Sequence, residues 1–300
     1  MNSPYEAAVR RYRTIDALTP ARWQFSSFTT GDQAEIHYHR TGGDHKTALI
    51  ALHGFQSAGL TWLRTTRALE TDYDLILPDF RGHGHSNSSV DGFSLERLTD
   101  DIAELVNVLR LEKPLVIGHS MGAEVAGRLA VAYPDGMRAL ILVEPPMRAF
   151  AFQPDALSGE GAAWYQQWLA TMQAIRTQPH VERMSTGLRL LPLGVGTPNE
   201  EDFVPSIEAT AQLNLDLLRR ASTMDYRIAT TEIAARIHAP LFLMTGSPQR
   251  GSVATPEGIR TIVESGSRRE AVSFENAGHF ILFEQFNRFI AVVKDFLTRH

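Results

Sequence analysis

Gly118-His119-Ser120-Met121-Gly122 is a G-x-S-x-G sequence set between an apolar run, Pro114-Leu-Val-Ile-Gly118, and a helical pattern over residues 120–132. Strand before and helix after is the setting in which this pattern does nucleophilic chemistry. Glycine on either side permits a sharp turn without side-chain clash, so the Ser120 hydroxyl is expected to stand exposed above a sheet edge. The helix that starts beside it turns backbone N–H groups, and the positive end of its dipole, toward developing negative charge. A serine hydroxyl is a weak nucleophile and needs a base. Of the eleven histidines, His279, in Asn276-Ala-Gly-His-Phe280, follows the last expected strand and precedes the last expected helix. That puts it at the same carboxyl edge as Ser120. An imidazole in this role needs a carboxylate to orient it and to stabilise its charged form.

The elements that must position these groups are legible as an alternation. Thr47-Ala-Leu-Ile-Ala-Leu-His53, Asp74-Leu-Ile-Leu-Pro78, Pro114–Gly118 and Met137-Arg-Ala-Leu-Ile-Leu-Val143 are short apolar runs, separated by helical patterns near 60–69, 94–111 and 120–132. Such runs fit parallel strands covered on both faces. Residues 34–40 alternate and read as a half-exposed strand. Apolar runs return at Pro240–Thr245 and Ala271–Phe274, each followed by a helical pattern (255–264 and 285–298), with Thr255-Pro256 as a helix-start signal. Between the two sets, residues 146–235 are mostly helical in pattern, with breakers at Gly187, Pro192, Gly194, Gly196, Pro198 and Pro205. The chain therefore reads as one α/β core, residues 25–145 and 236–300, interrupted by a helical lid over 146–235. An N-terminal extension, 1–24, precedes it, with a short surface helix expected over 5–18.

Together these features resemble the α/β-hydrolase fold superfamily over residues 25–298. His53-Gly54 is similar to the family's oxyanion-loop motif, and Asp79-Phe-Arg-Gly-His-Gly-His-Ser86 to the loop after the next strand. The resemblance implies a doubly wound, mostly parallel eight-stranded sheet and the chain order serine, acid, histidine. It also implies an oxyanion hole built from the backbone N–H groups of Phe55 and Met121, while Asp79 and Arg81 are expected to hold their loop together. The acid departs from the family's commonest pattern, in which the strand before the last ends in Gly-x-x-Asp. Here that stretch is Thr245-Gly-Ser-Pro-Gln-Arg, and Gln249 stands at the acid position. Glutamine cannot stabilise an imidazolium as a carboxylate does. Glu144, in Leu142-Val-Glu-Pro-Pro146, follows the strand neighbouring the nucleophile strand. Zearalenone-type lactone hydrolases keep their acid there, as do cofactor-free quinolone dioxygenases with aspartate. Glu144 is thus the expected triad acid, against a plain structural role; Glu124, one helical turn past Ser120, is the lesser candidate.

Trp164, Trp168, Met172 and Ile175 recur at helical spacing, a pattern that a lid core and a substrate wall share. Lids in this fold face the nucleophile and contribute apolar pocket surface. Trp164, Trp168, Met184, Leu188 and Phe203 are accordingly the expected substrate contacts, and the substrate is expected to be bulky and largely uncharged.

Composition sets outer limits. With a net charge of −5 the totals do not favour a nucleic-acid or anionic-lipid surface, and the absence of cysteine removes disulfides, thiolate metal sites and a cysteine nucleophile. No apolar run approaches the about 20 residues that span a bilayer. Arg10-Arg11 is followed by polar and charged residues rather than an apolar export segment, so a cytoplasmic setting is expected. His37 with His39, and His83 with His85, lack a third ligand at metal spacing and read as surface histidines. The function expected is hydrolysis of a carboxylic ester or lactone of a small molecule by Ser120, His279 and Glu144, without cofactor or metal. A cofactor-free dioxygenase and a carbon–carbon bond hydrolase are rival chemistries on the same residues. A small-molecule receptor is the non-enzymatic rival.

Overall fold

The computed structural model describes residues 4–43, 45–86, 92–147, 159–190, 197–217 and 230–300. Eight strands, β1 Gln24–Thr29, β2 Glu35–Arg40, β3 Thr47–Leu52, β4 Tyr73–Pro78, β5 Leu115–His119, β6 Ala139–Val143, β7 Leu241–Gly246 and β8 Arg269–Phe274, form one sheet in the order β1-β2-β4-β3-β5-β6-β7-β8. β2 runs antiparallel to both neighbours, and β3 through β8 are mutually parallel. This is the doubly wound, mostly parallel sheet of the α/β-hydrolase fold.

Strand periodicity divides the core in two. Ile50, Leu52, Ile76 and Val116 face one side and meet Leu98, Ile102, Val125 and Leu129 of the helices there. Leu49, Ala51, Leu75 and Ile117 face the other and meet Leu63, Leu69, Phe289, Val293 and Phe296. Both faces are buried, so the central strands carry no polar alternation. β1 gave no such signal: Gln-Phe-Ser-Ser-Phe-Thr is a mostly exposed edge strand, with only Phe28 buried.

The helices, in chain order, begin with α1 Pro4–Val9, α2 Ile15–Leu18, α3 Leu63–Leu69, α4 Leu95–Val108 and α5 Met121–Ala132. Inserted between β6 and β7 are α6 Gly159–Thr177, α7 His180–Leu190 and α8 Glu200–Gln212. Local chemistry sets several starts. Ser94 Oγ accepts from Arg97 N at the head of α4, Asn199 Oδ1 from Glu201 N at the head of α8, and Thr255 Oγ1 from Gly258 N at the head of helix Pro256–Glu264.

The N-terminal extension is not the single surface helix expected over 5–18. It forms two short helices whose Val9 and Leu18 are fully buried. They join the same apolar cluster as Met184 and Phe203 of the inserted helices. Tyr12 stands edge-on to Phe203 at 6.0 Å, and Arg13 pairs with Glu200 at 2.9 Å. Among the described residues no helix is long and apolar enough to cross a membrane.

Candidate active site

The sheet register assembles the site. His119 pairs with Val143 across β5 and β6, so Ser120 and Glu144 are the next residues at adjacent strand tips. Leu52 pairs with Gly118 across β3 and β5, which carries His53-Gly54 beside the same corner. Both tip residues have left-handed backbones, Ser120 at φ 53° and Glu144 at φ 49°. Such conformations cost about 1–3 kcal/mol each and persist only where the surroundings over-determine them. Here Ser120 N donates to Val143 O at 2.9 Å and Glu144 N to Met244 O at 2.8 Å, continuing the ladder through each turn.

The glycines flanking Ser120 are required by close approach. A Cβ on Gly118 would lie 2.3 Å from Gly122 O, and one on Gly122 would lie 2.3 Å from Leu52 O. Strand, turn and helix can therefore pack only with hydrogen at both positions. Across the corner, a Cβ on Gly54 would come within 3.2 Å of Ser120 Cβ, so the loop after β3 abuts the serine. Met121 opens α5, where N–H groups have no intrahelical partner.

Glu144 is fully buried and accepts four hydrogen bonds. Oε1 takes Gly246 N at 2.6 Å and Ser252 Oγ at 2.8 Å; Oε2 takes Val253 N at 3.0 Å and His279 Nδ1 at 3.2 Å. Nδ1–H as donor fixes the tautomer that leaves the lone pair on Nε2, the form an acceptor of protons needs. Gln249, at the acid position of the commoner pattern, is exposed, and its Oε1 accepts from Ser247 Oγ at 2.6 Å. The turn after β7 thus supplies no acid of its own, but its backbone and Ser252 hold the acid that β6 supplies.

Two residues that sequence reasoning passed over hold the histidine loop. His119 Nε2–H donates to His279 O at 2.8 Å, and burial, reinforced by His279 nearby, pushes the His119 imidazole down to about 3. It is therefore a neutral donor. Glu284 accepts from Gly278 N, at 3.1 Å to each oxygen, and from Phe280 N at 3.2 Å, clamping the amides on either side of His279. His119 occupies the variable position of G-x-S-x-G and carried no signal beyond being polar in an apolar strand. Glu284 lies five residues past His279, at capping distance from its loop.

Ser120, His279, Phe55 and Met121 line one cavity of about 270 Å³. Trp62, Leu95, Pro146, Phe280, Leu282 and Phe283 supply apolar wall, and Phe280 stacks parallel on Phe283 at 5.9 Å. Of the expected lid contacts, Met184 and Phe203 are fully buried in the core beneath the inserted helices, and the half-buried Leu188 packs against that core. Met172 and Ile175 of the apolar stripe are buried helix core. The face of α8 toward the cavity carries Ser206 and Thr210 instead. The side chains of Trp164 and Trp168 lie outside the described residues. Glu124 also lines the cavity, but its carboxylate is engaged by Arg128 Nε at 2.8 Å and by Thr230 Oγ1.

The two histidine pairs are not plain surface groups. His83 and His39 are buried, which lowers each to about 4, while His37 and the exposed His85 gather with His39 around the Phe25 ring. Among the described residues no group of three His, Asp or Glu side chains could hold a metal ion. Asp79 accepts from Gly59 N and His85 N, and Arg81 forms a two-pronged pair with Asp101, at 2.7 Å on each prong. Both residues tie their loop to its surroundings.

Comparison with known proteins agrees with this architecture. N-formylmaleamate deformylase of Pseudomonas putida is 28% identical over 262 residues, 87% of this chain and 92% of that protein. A monoacylglycerol lipase of Mus musculus is 25% identical over 286 residues, covering 85% of this chain and 76% of the lipase. Among solved structures, the N-formylmaleamic acid deformylase of Pseudomonas putida S16 superposes with a TM-score of 0.71 at 22% identity, covering 90% of this chain and all of that one. The enol-lactonase of Burkholderia xenovorans LB400 superposes at 0.63 with 21% identity, over 91% of this chain and 100% of the lactonase. A family model described as the alpha/beta hydrolase fold matches residues 47–286, and the chain belongs to that family.

Proposed function

We propose that the protein hydrolyses a carboxylic ester or lactone of a largely apolar, uncharged small molecule. Ser120 Oγ attacks the carbonyl carbon while His279 Nε2 takes its proton. The N–H groups of Phe55 and Met121 receive the oxyanion, each worth about 3 kcal/mol of barrier by analogy with such donors elsewhere. Collapse of the tetrahedral intermediate releases the alcohol, protonated by His279, and leaves an acyl group on Ser120. Water, deprotonated by the same imidazole, then frees the acid. Glu144 keeps the imidazole oriented and stabilises its charged form.

The observation that carries the reading is the Glu144–His279 hydrogen bond of 3.2 Å, made by a fully buried carboxylate to an imidazole that lines the same cavity as Ser120. A binding protein has no need of a strained serine and an oriented histidine in one cavity. The test is turnover of a panel of p-nitrophenyl esters and aromatic lactones by the wild type and by Ser120→Ala. Wild-type hydrolysis that disappears in the variant supports the reading; turnover that survives in Ser120→Ala, or none in either, overturns it. With none in either, oxygen uptake in the presence of heteroaromatic substrates tests the dioxygenase chemistry. The likeness to a deformylase favours one second reading, cleavage of an N-formyl amide by the same residues. Formate release from N-formyl amides would separate the two.

A further inference from the structure

Four hydroxyl groups line the cavity where α8 meets the turn after β3: Ser57 and Thr61 on the turn, Ser206 and Thr210 on the helix. Each hydroxyl carries one hydrogen and two lone pairs, and in each the hydrogen is already committed inside the protein. Ser206 Oγ donates to Asp202 O at 2.7 Å and Thr210 Oγ1 to Ser206 O at 3.0 Å, the back-bonding usual for such residues within helices. Ser57 Oγ donates to Thr61 Oγ1 at 2.8 Å, which in turn donates to Ala58 O at 2.7 Å. What the four atoms turn toward a ligand is lone pairs. Glu124 also lines the cavity, but its carboxylate is engaged by Arg128 and Thr230, so the acceptor character of the strip is that of its hydroxyls. Gln56 and the Trp62 indole carry N–H groups, so donors are present as well, but the hydroxyl strip itself can only accept unless its internal bonds break.

We infer that this strip is an acceptor subsite, and that the substrate carries a neutral hydrogen-bond donor, a hydroxyl or an N–H, that docks on it. The inference rests on the acyl-transfer reading and names the substrate class for that site. A donor on the ligand adds hydrogen bonds without undoing any. An ether oxygen in the same place meets lone pairs, and a carboxylate meets lone pairs with its own charge unpaired. The aromatic wall of Phe55, Trp62, Phe280 and Phe283 suits a planar scaffold for that donor. A hydroxylated or N–H-bearing aromatic acyl compound satisfies both walls at once.

Three ketones that differ only in the para substituent test this directly: 4-(4-hydroxyphenyl)butan-2-one, its methoxy analogue and its carboxylate analogue. Each presents a carbonyl to Ser120 and cannot be hydrolysed, so titration calorimetry on the wild-type protein reads binding whether or not the protein is an esterase. The hydroxy compound is expected to bind about tenfold tighter than the methoxy compound, the worth of a neutral hydrogen bond. The carboxylate is expected to bind most weakly. In the Ser206→Ala/Thr210→Val double variant the hydroxy-to-methoxy ratio should fall toward one, while the control Thr171→Val, on the exposed face of α6, should keep it.

Equal binding of the hydroxy and methoxy ketones, or tightest binding of the carboxylate, overturns the inference, as does a ratio that persists in the double variant. Matched p-nitrophenyl 3-arylpropanoates give the catalytic counterpart. Hydrolysis of all three without preference would sink the subsite and leave the hydrolase reading standing. Hydrolysis of none, with the ketone ratio intact, would do the reverse.

Discussion

At the carboxyl edge of the sheet, position is decided by backbone. Ser120 and Glu144 both sit at positive φ immediately beyond paired strand residues, and the glycines beside Ser120 are demanded by contacts with main-chain oxygens. In the helices between β6 and β7, position is decided by side-chain burial. Met184 and Phe203 turn inward because they are apolar, and Ser206 and Thr210 are left to face the cavity. The difference separates two tasks. The proposed chemistry needs its groups held to fractions of an ångström, and a register-locked strand tip does that. The surface that selects a substrate tolerates exchange, because a helix keeps its seat as long as its apolar stripe is intact.

The sharpest way to break this comparison is at Glu144. Glu144→Gln is expected to lower kcat/KM on p-nitrophenyl esters by about 10⁴, the cost of losing the charge that sets the tautomer. Adding Gln249→Asp in that background should restore nothing, since position 249 faces solvent. Recovery of activity would mean that the two strand tips are interchangeable and that the geometry around Glu144 is not decisive.

Acid should strike the edge before the inserted helices. His53, His83 and His119 are buried at the strand ends, and burial holds all three below the ordinary histidine range, His83 at about 4 and His119 at about 3. The unfolded chain takes up these protons near pH 6.5 and the folded chain does not, so stability is full above that pH and falls as pH drops toward 4. Each imidazole contributes about 1.4 kcal/mol per pH unit in that window. Denaturant midpoints measured between pH 7 and pH 4.5 check this; a flat profile would show that the edge admits protons without unfolding.

Phe203→Ala should cost about 3–5 kcal/mol of stability by opening a cavity among α8, Tyr12 and Met184. In the refolded protein kcat/KM is expected to stay within about threefold, since Phe203 does not line the cavity that holds Ser120. A collapse of activity with little loss of stability would place Phe203 in substrate binding after all. A loss of activity smaller than that at Glu144 is expected at the His119 anchor. His119→Phe removes the donor to His279 O and should lower kcat by about tenfold to a hundredfold with KM unchanged. His119→Gln, which keeps an N–H donor, should recover most of it. Equal loss in both variants would assign His119 to packing alone.

Much of this arrangement was readable in the chain. The apolar runs ending at His53, Pro78, Gly118 and Val143 announce parallel strands because both faces of such strands are buried, and each marks where a loop at the sheet's carboxyl edge begins. G-x-S-x-G is legible because its glycines answer a local steric demand. β1 was not legible, since an exposed edge strand has neither a continuous apolar run nor a regular alternation. Met184 and Phe203 were read as pocket contacts for a related reason: an apolar stripe looks the same whether it faces a core or a ligand.

The sequence by itself determined the α/β alternation, the glycine-flanked serine turn, the loop histidine and the missing carboxylate after β7, because these depend on short-range sterics and on which residue type stands at a strand end. Only the tertiary structure decided that the buried Glu144 meets His279, that Gly246, Ser252 and Val253 hold it there, and that the N-terminal extension closes against the inserted helices. It also decided which face of α8 the cavity sees. Those facts depend on contacts between residues more than 100 positions apart, where no local pattern records which partner each buried group will find.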